Sequence, residues 1–240
     1  MLNPQQQEAV RYLDGPLLVL AGAGSGKTSV ITQKIAHLAR SGLYAINEIA
    51  AITFTNKAAR EMRERAAKLL GEGASEGLTV STFHAMGMRF LEIEHAKAGL
   101  RRGFSILGED DSRALIKDLA PKSANNEVLE RLRFLIGRAK NQGLNPEQAL
   151  ARAQTPRERE AAELYASYAQ RLLAFNAVDF DDLIALPVRL LDADEDTRAK
   201  WQRKYRYLLV DEYQDTNVAQ YRMLRLLAGE RGMFTAVGDD

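Results

Sequence analysis

The segment Ala21-Gly22-Ala23-Gly24-Ser25-Gly26-Lys27-Thr28 stands between a short apolar run and a stretch of helical period. Its residue types suit the holding of a polyphosphate. Glycines let the backbone curl so that several N–H groups point inward at phosphate oxygens. A helix that follows presents its positive N-terminal end to the same anion. The pattern is that of a P-loop, with Ala21 in the first glycine position. In that role Lys27 neutralises the β and γ phosphates and the Thr28 hydroxyl ligates Mg²⁺. Such a site also needs a carboxylate for the metal. Asp211-Glu212 directly follow the apolar run Tyr207-Leu208-Leu209-Val210, which places both acids at the C-terminal edge of a strand. Open α/β sheets bind their ligands at that edge. Asp211 suits the metal shell, acting through water, and Glu212 suits the base that orients and deprotonates an attacking water. Gln214 can contact the γ-phosphate or its water, and Thr216-Asn217 can cap the next helix.

These residues require a sheet and helices to position them. Asn3-Pro4-Gln5-Gln6 reads as a capped helix start running to about Tyr12, broken by Asp14-Gly15-Pro16. The unbroken apolar run Leu17-Leu18-Val19-Leu20 predicts a strand buried on both faces. A helix from about Gly26 carries Val30, Ile31, Ile35 and Leu38 and stops at Gly42. The pattern repeats with a strand over 49–54, a helix capped by Asn56 and ended by Gly71, a strand over 78–81, and a helix starting near Thr82-Phe83-His84. This alternation predicts an α/β fold, a parallel sheet flanked by helices with right-handed crossovers. From about Arg89 to Lys204 the rhythm breaks. Apart from Phe104-Ser105-Ile106-Leu107 the period there is helical, punctuated by Pro121, Gly143, Pro146 and Pro156, and Pro187 is expected to kink or end a helix. Strand character returns at Tyr207, followed by a helix over 218–227 and a strand over 233–237. The expected organisation is 1–88 as the first part of a nucleotide-binding domain, 89–199 as a large inserted α-helical subdomain, and 200–240 as the return. The chain stops at Gly238-Asp239-Asp240, directly after a buried strand, and so reads as a fragment.

The 240 residues are 46% hydrophobic and 27% charged, enough to bury a core, which excludes disordered, collagen-like and low-complexity classes. Net charge is only +1, so any nucleic acid must be held by a local patch. Cysteine is absent, which excludes disulfide frameworks, thiolate zinc sites and thiol catalysis, and His37, His84 and His95 are scattered. No apolar run approaches membrane-spanning length and the start is no signal peptide, so a soluble cytoplasmic protein without a membrane partner is expected. The candidate patch is Phe54-Thr55-Asn56-Lys57, which ends the second strand at the same sheet edge as the P-loop. An aromatic there can stack on a base, while Thr, Asn and helix-start N–H groups grip phosphates. Thr82-Phe83-His84 ends the third strand in the same way, although Phe83 is equally suited to the core. The helix beyond Asn56 carries Lys57, Arg60, Arg63, Arg65 and Lys68 against Glu61 and Glu64. Most of these form a solvated, salt-bridged face, with Lys57 the best phosphate candidate. Arg89, Lys97, Arg101, Arg102, Arg138 and Lys140 either line a nucleic-acid surface or are simply exposed.

Six segments, in order, carry a resemblance. Leu2-Asn3-x-x-Gln6, AGAGSGKT at 21–28, ITFTNKAAREMRER at 52–65, VSTFH at 80–84, DFDDLI at 179–184 and VDEYQDTN at 210–217 resemble the superfamily 1 helicases of the UvrD/Rep/PcrA type, nearest in flavour to the Rep branch. AVGDD at 236–240 resembles the start of the next motif. The resemblance implies a RecA-like motor domain that uses ATP and Mg²⁺, moves 3′→5′ on single-stranded DNA and separates strands at ss/ds DNA junctions. It implies replication or repair proteins as further partners and a second motor domain beyond Asp240. By position it implies that Gln6 reads the adenine edge, although a capping-box role suits Gln6 as well. It implies DNA contacts at Phe54, Thr55, Thr82 and His84. Where the family commonly carries Arg, this chain has Ser29, so a cationic contact near the nucleotide is either missing or supplied from elsewhere. Phe180-Asp181-Asp182 belongs to the resemblance, yet its acids can equally cap and order the return to the sheet. Three alternatives stand beside the helicase reading: a nucleotide- and DNA-binding module without turnover in isolation, the motor of a helicase–nuclease subunit, and a small-molecule P-loop kinase. The last has no use for Asp-Glu-x-Gln and aromatic strand ends.

Overall fold

The computed structural model describes residues 2–22, 24, 26–71 and 73–239. These form two compact units, one from residues 1–86, 194–216 and 220–240, the other from 87–193 and 217–219. Among the described residues no helix is long and apolar enough to cross a membrane.

The first unit is built on five parallel strands in the order β1-β7-β6-β2-β3, with β1 Leu17–Leu20, β2 Ile49–Thr53, β3 Thr79–Thr82, β6 Tyr207–Val210 and β7 Phe234–Gly238. Register aligns the C-terminal ends along one edge: Leu20 opposite Gly238, Val210 opposite Ala236, Ile52 opposite Val210, and Thr53 opposite Thr82. Helices α1 Pro4–Arg11, α2 Lys27–Ser41 and α3 Asn56–Leu70 belong to this unit. Ile31, Ile35 and Leu38 of α2 and Ala59, Met62 and Ala66 of α3 bury one face of the sheet at Ile49, Ala51, Tyr207, Leu209 and Val237. Parallel sheets are stable when both faces are covered, and β2 and β6 are buried at every position. The strand at Leu17–Leu20 departs from expectation. It lies at the end of the strand order, and Leu18 and Leu20 are 53% and 54% exposed. An all-apolar run does not reveal which strand of a sheet is the outer one.

Local chemistry explains the helix boundaries. Asn3 and Gln6 form a reciprocal capping box at α1, with Asn3 Oδ1 accepting from the Gln6 N–H and Gln6 Oε1 accepting from the Asn3 N–H. The buried Lys34 of α2 donates to the Ala9 and Tyr12 carbonyls at the end of α1, and burial pushes its pKa down to about 8. The cap of α3 is Thr55, whose hydroxyl accepts from the Ala58 N–H; the expected Asn56 is instead the first helical residue. Gly42 ends α2 at φ 73°, a conformation that costs glycine nothing.

The second unit is helical apart from a two-stranded parallel ladder, β4 Ser105–Ile106 with β5 Ala177–Val178. Its helices are α5 Glu109–Leu119, α6 Asn126–Asn141, α7 Pro146–Arg152, α8 Pro156–Ala174 and α9 Asp182–Ala193, together with most of α4 Phe83–Glu94. Helix α10, Glu195–Lys204, groups with the first unit, as does most of α11, Val218–Ala228. Pro187 does not end a helix; it sits inside α9. An interior proline leaves the carbonyl four residues earlier, that of Leu183, without its helical donor. That carbonyl oxygen lies against Gly87, where any Cβ would overlap it. The proline is tolerated where a neighbouring helix offers bare backbone.

Lys140 is also placed differently from expectation. It is 1% exposed and so cannot meet nucleic acid. Its Nζ lies 2.6 Å from Asp179 Oδ2 and 2.9 Å from Asp182 Oδ1, beneath the rings of Tyr165 and Tyr168. Tyr168 Oη donates to Asp179, and Asp179 and Asp182 accept from each other's backbone N–H. Burial, with the charge of Asp179, pushes Asp182 up to about 6, while Lys140 holds Asp179 below the usual carboxylate range. Asp179 and Asp182 therefore order the start of α9 and neutralise a buried lysine, with Phe180 left 59% exposed beside them.

Candidate nucleotide and DNA site

The loop after β1 reaches α2 through Gly24 at φ 76° and Gly26 at φ 84°. Both angles are left-handed, which glycine adopts at no steric cost, and a Cβ at Gly24 would meet nothing within 4 Å. Ala23 and Ser25 lie outside the described residues. The Ala21 N–H donates to the Gly238 carbonyl at 3.1 Å, tying the loop's entry to the end of β7. Gly22 is exposed, Thr28 and Ser29 are half-buried, and Lys27 is buried at 8% exposure.

Asp211 and Glu212 follow β6 at the same edge. Asp211 is buried, and its carboxylate accepts a hydrogen bond from the Glu212 N–H at 3.0 Å. Burial raises the Asp211 pKa, and the Glu212 charge adds to this, while the Glu212 N–H, Lys27 and Thr28 oppose it. Glu212 occupies φ 50°, ψ 46°, a left-handed conformation uncommon for a side-chain-bearing residue. Strain of this kind is held by surrounding contacts and recurs at functional sites. Here it lets the chain turn sharply from β6 into the 3-10 turn Tyr213–Asp215. Gln214 bridges the turn to β7: its Nε2 donates to Glu212 Oε2 at 2.6 Å, and its Oε1 accepts from the Asp239 N–H at 3.1 Å. Gly238 permits this approach, because a Cβ there would sit 2.6 Å from Gln214 Oε1.

A cavity of about 350 Å³ opens over these groups, lined by Gly24, Lys27, Ser29, Arg65, Glu212 and Asp239 among others. Lys27 is ion-paired with Asp239 inside it. Asp239 follows β7, which pairs with β1, and that pairing is what brings it to the lysine. The donor set suits a polyphosphate with Mg²⁺, an ion held by one or two carboxylates plus phosphate oxygens and water. Thr28 and Asp211 would hold the metal and Lys27 the phosphates. Gln6 stands beside the loop, with its Nε2 3.4 Å from where a Cβ of Gly26 would be. Its Oε1 is committed to the helix cap, so the capping and the nucleotide-facing readings of Gln6 are compatible.

Along the same edge, Phe54 is half-buried and Thr55, Asn56 and Lys57 are exposed. Phe83, by contrast, is 1% exposed and packs its ring 5.3 Å from that of Phe54. It belongs to the core and backs Phe54; no face of it is left for a base. Thr82 is buried, its hydroxyl accepting from the Ala85 N–H to start α4. His84 is half-buried and its pKa is lowered by burial. The first residues of α11 are organised from an unexpected quarter. Asn141 Oδ1 accepts the Ala219 N–H, while the Thr216 hydroxyl donates to the Tyr213 carbonyl.

The chain is 50% identical over its whole length to the ATP-dependent DNA helicase Rep of Escherichia coli K12, of which it covers 36%. It is 41% identical to the probable DNA helicase II homolog of Rickettsia conorii, covering 37% of it. It is 42% identical, over 99% of the chain, to the ATP-dependent DNA helicase PcrA of Leuconostoc citreum, covering 32% of that protein. The chain thus spans about a third of the length of the curated relatives it matches. The family model of the UvrD/REP helicase N-terminal domain matches residues 2–240, and the chain belongs to that family.

Proposed function

We propose that the chain is the ATP- and single-stranded-DNA-binding part of a cytoplasmic 3′→5′ DNA helicase. The observation that carries this reading is the single cavity lined by Lys27 and Thr28 from the start of α2 and by Glu212 and Asp239 from the ends of β6 and β7, residues brought together across most of the sequence. ATP enters the cavity with its phosphates on the loop N–H groups and Lys27, displacing Asp239 from the lysine. Thr28 and Asp211 would hold Mg²⁺, which when bound would supply charge neutralisation to the phosphates. Glu212 accepts a proton from the attacking water, and Gln214 links that event to the end of β7. DNA runs along the exposed edge at Phe54, Thr55, Asn56, Lys57 and His84, with sequence-independent contacts to phosphates and one base face.

The cations lining the described cavity are Lys27 and Arg65. Phosphoryl transfer commonly takes further arginines from another domain, and the relatives are nearly three times as long. The isolated chain is therefore expected to bind ATP but to turn it over feebly, whereas a chain extended to the relatives' length is strongly stimulated by single-stranded DNA. ATPase assays on both, with and without oligonucleotide, check this. Lys27→Ala is expected to weaken ATP binding by about 100-fold, in line with loss of a buried charge-assisted contact. Equal turnover by the two chains, or indifference of ATP binding to Lys27→Ala, refutes the assignment.

A further inference from the structure

Lys34 is a buried cation of the first unit that the phosphate cavity does not use. It sits two turns into α2, is 0% exposed, and among the described residues has no ion-pair partner. Its Nζ donates instead to two backbone carbonyls of another helix, Ala9 at 2.8 Å and Tyr12 at 2.5 Å, and stands 5.9 Å from the centroid of the Tyr207 ring. Tyr12 is the C-cap of α1 and Ala9 lies in its last turn. The last four carbonyls of a helix lack intrahelical donors and carry the negative end of its dipole, so an ammonium placed there answers both needs. With its pKa pushed down only to about 8, Lys34 is still charged at neutral pH.

Helix α1 needs such a hold. Its eight residues fall short of the length at which a helix is stable by itself in water, and the residue it buries is Val10. Its first turn carries Gln6, whose Nε2 stands beside Gly26 at the start of α2. The two helices therefore run side by side in the same sense, with Gln6 level with Gly26 and the end of α1 level with Lys34. Because the capping box ties the Gln6 side chain to the Asn3 N–H, Gln6 moves with α1.

We infer that Lys34 is a positioning residue for nucleotide binding, clamping the C-terminal end of α1 to α2 so that Gln6, at the other end, stays level with the phosphate loop. The inference rests on the nucleotide reading above, with Gln6 as the contact to the base. It gives the two halves of the nucleotide different holds. The phosphates are held by the loop, and the base by a short helix fastened through one ammonium. Loosening α1 then costs the base contact and leaves the phosphate cradle in place.

The test compares the 240-residue chain with Lys34→Met, which keeps the length of the side chain without its charge, with Gln6→Ala as the reference, and with the double variant. Hydrogen exchange is expected to be faster at the α1 amides of Lys34→Met, with protection in α3 and β6 unchanged. Equilibrium binding of ATP, GTP and inorganic tripolyphosphate, each with Mg²⁺, reads the consequence. Lys34→Met is expected to weaken ATP by about tenfold, the size of a lost hydrogen-bonded contact, to lose the preference for ATP over GTP, and to bind tripolyphosphate as the unaltered chain does. Gln6→Ala is expected to behave alike, and the double variant to add no further loss, since both substitutions remove one contact. If Gln6→Ala loses the preference for ATP while Lys34→Met keeps it, the inference fails and the base contact stands. If Lys34→Met loses tripolyphosphate as much as ATP, Lys34 supports α2 as a whole and the inference fails. If Gln6→Ala leaves the preference intact, the base contact falls and the inference falls with it.

Discussion

Asp211 must be ionised to hold a metal, yet its surroundings favour the neutral acid. Burial and the adjacent Glu212 raise its pKa above the ordinary value of about 3.9. A raised acid pKa means that the folded chain holds its proton to higher pH than the unfolded chain does. The stability this gives is complete below the unfolded pKa and is lost as pH rises through the folded value. Two outcomes follow. Asp211→Asn should raise the thermal midpoint while abolishing Mg²⁺-dependent nucleotide binding, a trade between stability and function. In the unaltered chain, Mg²⁺-dependent affinity should fail on acidification at a higher pH than an exposed aspartate would dictate, as titration calorimetry between pH 8 and 4.5 can show. Glu212→Gln acts on a different step. It leaves ATP binding in place and lowers turnover in the longer, DNA-stimulated protein by at least about 100-fold, the usual scale of a lost general base.

At the scale of elements, the pairing of α4 with α9 is set by one glycine and one proline. The Leu183 carbonyl, deprived of its helical donor by Pro187, occupies the space where a Gly87 side chain would be. Gly87→Ala should therefore destabilise the second unit by about 3 kcal/mol, the upper part of the usual overpacking range, because the obstructing atom is backbone and cannot swing aside. Chemical denaturation checks the magnitude. Pro187→Ala in the same background should not rescue it, since the helices would still touch. This contact was illegible in the sequence: Pro187 was visible as a breaker, but only the facing glycine explains why the helix continues. The buried Lys140 with Asp179 and Asp182 was equally hidden, since charges distant in the chain look solvated until packing brings them together. Breaking such a group by deleting one partner costs roughly 3–5 kcal/mol. Strands β2, β3, β6 and β7 and the loop before α2 were legible, because apolar runs and glycines at fixed spacing are local signals. Asp211 and Glu212 were legible for the same reason, while the role of Gln214 as a bridge to Asp239 depends on β7 lying beside β6 and could not be read from spacing. Phe83 shows the converse, an aromatic at a strand end that the fold places in the core.

For the molecule as a whole, a net charge of +1 leaves no long-range basic field. DNA binding by this chain should therefore show a shallow salt dependence, set by the few cations at the strand edge. Each phosphate contact contributes about −0.7 to the slope of log affinity against log salt for a single strand. Lys57→Ala should reduce the slope by about that amount for every oligonucleotide sequence alike, measured by fluorescence anisotropy; an unchanged slope would remove Lys57 from the DNA edge. The two units differ in what organises them, a sheet core around Ile35, Ala51 and Leu209 in one and a helical core around Leu132, Tyr165 and Leu172 in the other. The strand that feeds the phosphate loop has a further practical meaning. With Leu18 and Leu20 turned to water at the end of the sheet, β1 offers another polypeptide both ladder bonds and grease, the combination that drives edge-to-edge aggregation. Handling the 240-residue chain at high concentration will test colloidal behaviour before it tests enzymology, and a lysine at position 18 is the gentlest remedy, since it changes the outward face of the strand and leaves the loop untouched.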